Sequence, residues 1–231
     1  MSNASQSSIA GEAREGRKPV VLQVVPELDV PGGTERSTVE IATALEAAGW
    51  RALVASAGGA LQRQIESVGG RHVTLPLKSK NPIQMRKNAR RLAELIAAEA
   101  VDIIHARSRA PAWSAWHAAQ KTGCHFITTF HGTYGTSSVL KRRYNAIMTK
   151  GERVIANSRF TASHILHTYP MEQKNLRIVR RGVDISIYNP GAVTQARLIQ
   201  LAGQWRLPDG KSVVMLPGRL TAWKGHLVLL D

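Results

Sequence analysis

Cysteine is almost missing from these 231 residues: Cys124 stands alone, which excludes an intramolecular disulfide framework. Lying in an apolar, strand-like stretch, it reads as a buried structural thiol rather than a nucleophile. The lack of disulfides points to a cytoplasmic setting. Long hydrophobic runs are missing too. No window approaches the roughly 18 to 20 consecutive apolar residues of a membrane-spanning helix. Residues 1–19 hold no apolar run of signal-peptide length. Rich in Ser, Ala, Gly and charge, they are expected to form a disordered tail. The sequence contains neither the dinucleotide fingerprint G-x-G-x-x-G nor a Walker A sequence, and it shows no nucleophile triad and no cluster at metal-ligand spacing.

Acid is the other scarcity, with 16 Asp and Glu against 31 Lys and Arg and a formal net charge of +15. So basic a surface attracts anionic partners through its long-range field. Nucleic acid is set aside, because no recognition motif occurs and the aromatics are not interleaved with the basic runs. An anionic membrane surface suits the placement better. Gln84 to Glu99 reads as a helix with Met85, Ala89, Leu92 and Ile96 on one face and Arg86, Lys87, Arg90 and Arg91 beside it, extended upstream by Lys78 and Lys80. A second cluster, Lys141, Arg142 and Arg143 with Lys150 and Arg153, falls in another expected helix. Basic amphipathic helices of this kind suit peripheral docking; the plain alternative is a solvated face on helices packed by their apolar side.

What is present in abundance is alternation. With 43% hydrophobic residues, the chain can bury one substantial core and begin a second. Strand-like runs are expected at 20–25, 51–56, 72–75, 101–105, 126–130, 154–157 and 176–179, with helical periods between most of them. Thr34 is the expected N-cap of the first helix and Gly49 its stop. This is the pattern of an α/β, Rossmann-like parallel sheet with helices on both faces. Residues 20–181 form one domain on this reading. Residues 182–191, rich in Gly, Asp, Asn and Pro, form a linker, and 192–231 open a second α/β domain with a helix at 193–205, a strand at 212–216 and a helix from Lys224.

Chemistry-bearing residues recur where strands run into loops, the edge at which open α/β sheets bind ligands. Gly32 and Gly33 follow the first strand, where the backbone can approach a phosphate and a helix amino terminus lies behind. His131 follows the strand 126–130 and would meet a sugar hydroxyl near the reacting carbon or help to position an acceptor. His105, Arg107 and Arg109 end another strand and suit an acidic acceptor, although His105 reads more readily as a structural residue. Asn157 and Ser158 either contact ligand or cap the following helix. Arg219 and Lys224, after the strand expected at 212–216, suit a diphosphate whose charge grows as a sugar leaves.

Five segments carry a resemblance: Pro31-Gly32-Gly33-Thr34-Glu35, Thr129-Phe130-His131-Gly132, Asn157-Ser158, Gly182-Val183-Asp184 with Tyr188-Asn189-Pro190, and Gly218-Arg219-Leu220 with Trp223-Lys224-Gly225. Together they resemble the family 4 retaining glycosyltransferases of the GT-B fold, over nearly everything from Val20 to Asp231. The resemblance implies two Rossmann-like domains facing across a cleft, with acceptor held mostly by the first and nucleotide-sugar donor mostly by the second. It makes His131 the catalytic-centre residue and gives donor binding to Gly33, Arg219 and Lys224, with Gly32 beside them; their place at the sheet edge makes His105, Arg107, Arg109, Asn157 and Ser158 the expected acceptor-binding residues. The resemblance also implies transfer with retention of configuration and no metal or other cofactor; the basic helices and the Ala- and Arg-rich composition add the expectation of a glycan or glycolipid acceptor in cell-surface polysaccharide or lipopolysaccharide synthesis. Members also continue well past the position matched by Asp231, so the expectation is a fragment that turns over little nucleotide-sugar. A non-catalytic glycan- or anionic-lipid-binding module is the other reading.

Overall fold

The computed structural model describes residues 17–29, 32–208, 210–218 and 220–230. They fall into two compact units, one ending at Arg181 and the other beginning at Gly182. The first is built on seven strands: β1 (Val20–Val24), β2 (Arg51–Ser56), β3 (Arg71–Thr74), β4 (Ile103–Ala106), β5 (His125–Phe130), β6 (Arg153–Ala156) and β7 (Leu176–Ile178). They lie in the order β3-β2-β1-β4-β5-β6-β7, and every pairing is parallel. The helices between them are α1 (Gly33–Ala47), α2 (Gln62–Ser67), α3 (Pro82–Glu99), α4 (Arg109–Thr122), α5 (Val139–Asn145) and α6 (Arg159–Thr168).

Parallel strands need crossover connections, so helices cover both faces and the central strands read as continuous apolar runs. All five residues of β1 are buried. Alternate residues of β2 feed two separate cores. Ala52 and Val54 meet Val39 and Ala42 of α1 and Ile65 of α2. Leu53 and Ala55 belong to the larger cluster with Leu92 and Ile96 of α3, Ala112 and Ala115 of α4 and Ile165 of α6. Burying each such Leu or Ile side chain contributes about 1.5–3 kcal/mol.

Local signals set the element ends. The Asn81 side chain accepts from the Ile83 and Gln84 amides and Pro82 follows it, so α3 starts four residues before Arg86. Its buried stripe is Asn88, Leu92, Ala93 and Ile96, while Arg86, Lys87, Arg90 and Arg91 face solvent. Arg17, in the stretch expected as a tail, is instead pinned to the sheet: it donates to the Ala100 carbonyl at 2.9 Å and pairs with Asp102. Asp102 also accepts from the Val20 amide at 2.7 Å, which starts β4 at Ile103 rather than at Val101. The rest of the expected tail, residues 1–16, lies outside the described residues.

Three expectations need correction. The second basic cluster is not on one helix: Lys141, Arg142 and Arg143 ride on α5, Lys150 follows a short 3-10 turn, and Arg153 opens β6. Cys124 is half-buried just after the α4 C-cap, not within a strand, and burial pushes its thiol up to about 12. The strand expected at Ser212–Leu216 does not form. Residues 211–217 are irregular, and Val213, Val214, Met215 and Leu216 are exposed. A strand's backbone groups need a ladder partner, and the described residues of the second unit include no strand to supply one. That unit holds α7 (Gln195–Gln204), capped by Thr194, and α8 (His226–Leu230). Its first ten residues, expected as a linker, include a short 3-10 turn starting at Pro190. Among the described residues no helix is long and apolar enough to cross a membrane.

Candidate functional site

The strand order reverses where β1 meets β4, and in open α/β sheets the crevice outside the carboxyl ends at such a reversal is where ligands bind. The residues around it are arranged for negative charge. Gly32, with extended backbone, is the N-cap of α1 and offers no side-chain cap. Thr34 lies inside the first turn instead of capping it, and its carbonyl accepts from the Ser37 and Thr38 hydroxyls. The positive end of the helix dipole thus lies at the crevice behind Gly32 and Gly33, with the Glu35 carboxylate against the first glycine and the Arg181 guanidinium against the second.

Arg107 is the most constrained residue there. Its amide continues the β1–β4 ladder by donating to Val24, and its side chain is only 2% exposed. The guanidinium donates to Gln23 Oε1 at 3.1 Å and to Ser37 Oγ at 2.5 Å, both neutral, while Nε has no partner. Among the described residues no carboxylate lies within ion-pairing distance of it. Burial, then Arg181, draws its pKa down to about 9 against the opposing pull of Glu35 and Glu40, so it stays charged at neutral pH. A buried cation with only neutral partners is costly, and an anion arriving in the crevice would offset that cost.

Two imidazoles flank it. His105, 4% exposed, has Nε2 2.7 Å from Thr129 Oγ1 and so ties β4 to β5. Burial, then Arg107 and His131, holds it well below the usual imidazole range. Such a side chain underpins the crevice rather than facing a ligand. His131 follows β5, and its pKa falls to about 3 through burial, then Arg107 and Arg181. Its Nδ1 lies 2.5 Å from Arg181 Nη2, and its Nε2 is buried without a partner.

The remaining acceptor-side residues act on the loop that carries His131. Asn157 Nδ2 donates to the His131 carbonyl at 3.1 Å, and its Oδ1 accepts from Thr161 at 2.9 Å. Ser158 is the N-cap of α6, accepting from the Thr161 amide at 3.0 Å. Arg109 donates to Asn145 Oδ1 at 3.0 Å, and its guanidinium carbon lies 4.5 Å from the Tyr134 ring centroid. Asn145 in turn donates to the Gly135 carbonyl at 3.1 Å, so the loop is fastened at both ends.

Arg181 opens a segment that the sequence offers only as the crossing between domains, with no site role, yet it reaches both His131 and Gly33. A Cβ on Gly33 would collide with its Nη1. The signal was available: Arg181 follows β7 at the same sheet edge from which the other candidates were drawn. The first unit thus brings together Gly32, Gly33, Arg107, His131 and Arg181, with His105 beneath. Lys224 belongs to the second unit, ending a 3-10 turn near Gly218. Arg219 lies outside the described residues. Among the described residues no group of three or more His, Cys, Asp or Glu is placed to hold a metal ion.

The two neutral imidazoles make stability depend on pH with a defined sign. Unfolded, each takes up a proton near pH 6.5; folded, each refuses it. Their contribution is therefore whole above about pH 6.5 and is lost as pH falls, by up to about 1.4 kcal/mol per pH unit for each imidazole. Urea unfolding at a series of pH values below 7 should show this decline, and His105→Gln or His131→Gln should flatten it. A decline equally steep in both variants would contradict the assignment.

Residues 31–187 match the family model described as Glycosyltransferase Family 4. A glycosyltransferase from Rickettsia africae is 38% identical, with a TM-score of 0.80 over 93% of this chain and 56% of that one. The Anabaena protein HepE, solved in complex with UDP-glucose, is 18% identical with a TM-score of 0.72, over 92% of this chain and 56% of its own. D-inositol 3-phosphate glycosyltransferase of Segniliparus rotundus is 27% identical over 84 residues, 36% of this chain and 18% of that protein. The chain thus spans little more than half the length of these solved structures. Sheet order, crevice and family match agree, and this chain belongs to Glycosyltransferase Family 4.

Proposed function

We propose that this chain supplies the acceptor-side domain of a nucleotide-sugar-dependent glycosyltransferase that passes a sugar to a glycan or glycolipid of the cell surface, with retention of configuration. The observation that carries the reading is the convergence on one crevice of an uncapped helix amino terminus, a buried Arg107 without a carboxylate partner, and Arg181. A donor diphosphate gains negative charge as its sugar departs, and fixed cations and helix dipoles in a water-poor site stabilise that change most. His131 stands beside them with its only unoccupied polar atom buried, suited to one directional bond to sugar or phosphate. In Anabaena HepE the ligand is UDP-glucose, which supports a nucleotide-sugar here. Arg219 and Lys224 are proposed as donor-binding residues, and Arg107 and Arg109 to shape the acceptor side, with His105, Asn157 and Ser158 behind them.

We also propose a cytoplasmic location with peripheral docking on an anionic membrane. Leu140 is 77% and Val139 63% exposed at the start of α5, immediately before Lys141, Arg142 and Arg143, and Phe160 is 76% exposed on α6. Apolar side chains standing out among cations are poorly explained as a merely solvated helix face. They suit insertion at a lipid headgroup boundary.

Labelled nucleotide-sugars supplied to cells carrying the gene should deliver sugar into a glycolipid or polysaccharide fraction. Replacing His131 by Ala at the locus should lower the initial rate about 100-fold, roughly 2.7 kcal/mol of lost transition-state stabilisation. Equal incorporation in the two strains would remove His131 from the chemistry. No gene-dependent incorporation, together with tight glycolipid binding, would favour the non-catalytic binding module.

For the membrane surface, co-sedimentation with vesicles is decisive. The chain should bind phosphatidylglycerol-containing vesicles, and binding should weaken between about 0.1 M and about 1 M salt as the screening length contracts from about 10 to about 3 Å. Leu140→Glu should weaken it further while leaving the fold intact. Equal binding to neutral and anionic vesicles would contradict this docking mode.

A further inference from the structure

We propose that Arg181 is a positioning residue: by donating to His131 Nδ1 it keeps the imidazole proton on Nε2, so that His131 meets a ligand as a neutral hydrogen-bond donor and not as a proton acceptor. The assignment of a ligand to that donor rests on the glycosyl-transfer reading above; the control of His131 by Arg181 does not.

A guanidinium carries five N–H groups and no acceptor. At 2.5 Å from Arg181 Nη2, Nδ1 of His131 must therefore present its lone pair. A neutral imidazole has one protonated nitrogen, and with Nδ1 accepting, that nitrogen is Nε2. Double protonation is opposed from every side. His131 is packed among Arg107 at the end of β4, His105 within β4 and Arg181 beyond β7, and the nearest acidic influence, Glu35 on α1, acts on Arg107. Its Nε2 is buried and has no partner. An unsatisfied buried donor costs about 1–3 kcal/mol, and an oxygen acceptor on the ligand, a sugar hydroxyl or a phosphoryl oxygen, would remove that cost.

Chemistry follows from the direction of this bond. A general base needs a lone pair aimed at the proton it takes, and the lone pair of His131 is occupied by Arg181. The imidazole is left to orient a sugar or to stabilise a developing oxyanion. Deprotonation of an acceptor hydroxyl then falls to another group, such as the departing phosphate. Gly33 belongs to the same device, because Arg181 reaches His131 through space that a side chain there would fill. Arg181 follows β7, at the boundary between the two units, so the form of His131 is set from outside its own loop.

The test reads the tautomer directly, by long-range nitrogen–proton correlation of the imidazoles in the full chain. Wild-type His131 should show a protonated Nε2 and a bare Nδ1, with no titration between about pH 5 and 8. Arg181→Met should bring in the Nδ1–H form and raise the titration midpoint by at least about one pH unit. Arg181→Lys, which keeps a donor and a charge, should restore the wild-type pattern, and Gly33→Ala should shift it partway towards that of Arg181→Met. A wild-type imidazole protonated on Nδ1, or a pattern unchanged in Arg181→Met, would overturn the proposal. Should Arg181→Met fail to fold, the wild-type spectrum and Arg181→Lys still decide. A tautomer that responds as expected in a protein whose gene supports no sugar transfer would sink the functional reading and leave the role of Arg181 standing.

Discussion

The parallel pairing of β1 with β4 is the constraint on which the site depends. It places Leu22 against Ile104 and Val24 against Ala106 in the middle of the sheet, with helices covering both faces. Because chain order reverses across this pair, the crossovers on its two sides cover opposite faces, and the carboxyl ends between them are left as a crevice. The crevice is thus a product of topology. Its contents follow from which residues come next in the chain: Gly32 and Gly33 a few positions after β1, Arg107 directly after β4, and His131 directly after β5.

Electrostatics then separates this crevice from a mere gap. The protein is basic throughout, but most of its exposed cations sit in water or are paired, as Lys78 is with Glu27. In the crevice the balance differs. Arg107 is buried among neutral groups, Arg181 lies against an imidazole, and both neighbouring histidines are held neutral by burial and by the arginines. Folding has placed the Arg107 charge where it is poorly solvated, opposed only through space by Glu35 and Glu40. Such an arrangement lowers the stability of the empty protein and favours an anionic ligand, a trade that recurs at functional sites.

Much of this was legible in the sequence, for identifiable reasons. Strands buried on both faces announce themselves as apolar runs, so β2 was placed to the residue and β1 within one. The helical period at 84–99 announced α3 in the same way, two residues short of its start at Pro82. What escaped depended on contacts between distant residues. Thr34 was expected as the N-cap because of its hydroxyl, but the chain turns at Gly32 and Thr34 enters the helix. Arg17 looked like tail until Asp102, far along the chain, held it. A strand at 212–216 was read from apolar content alone, which a ladder partner must complete. Arg181 is the instructive omission: nothing near it predicts that it returns to residue 131, and only the shared sheet edge does so.

Anionic ligand groups are proposed to gather at the crevice where the sheet reverses. Titrating the labelled protein with uridine diphosphate while following backbone amides tests it most directly. The account predicts that the earliest and largest shifts fall on Gly33, Thr34, His131 and Gly132, and that added inorganic pyrophosphate competes for the same positions. Shifts confined to the basic helices α3 and α5, or none at Gly33 and His131, would contradict it.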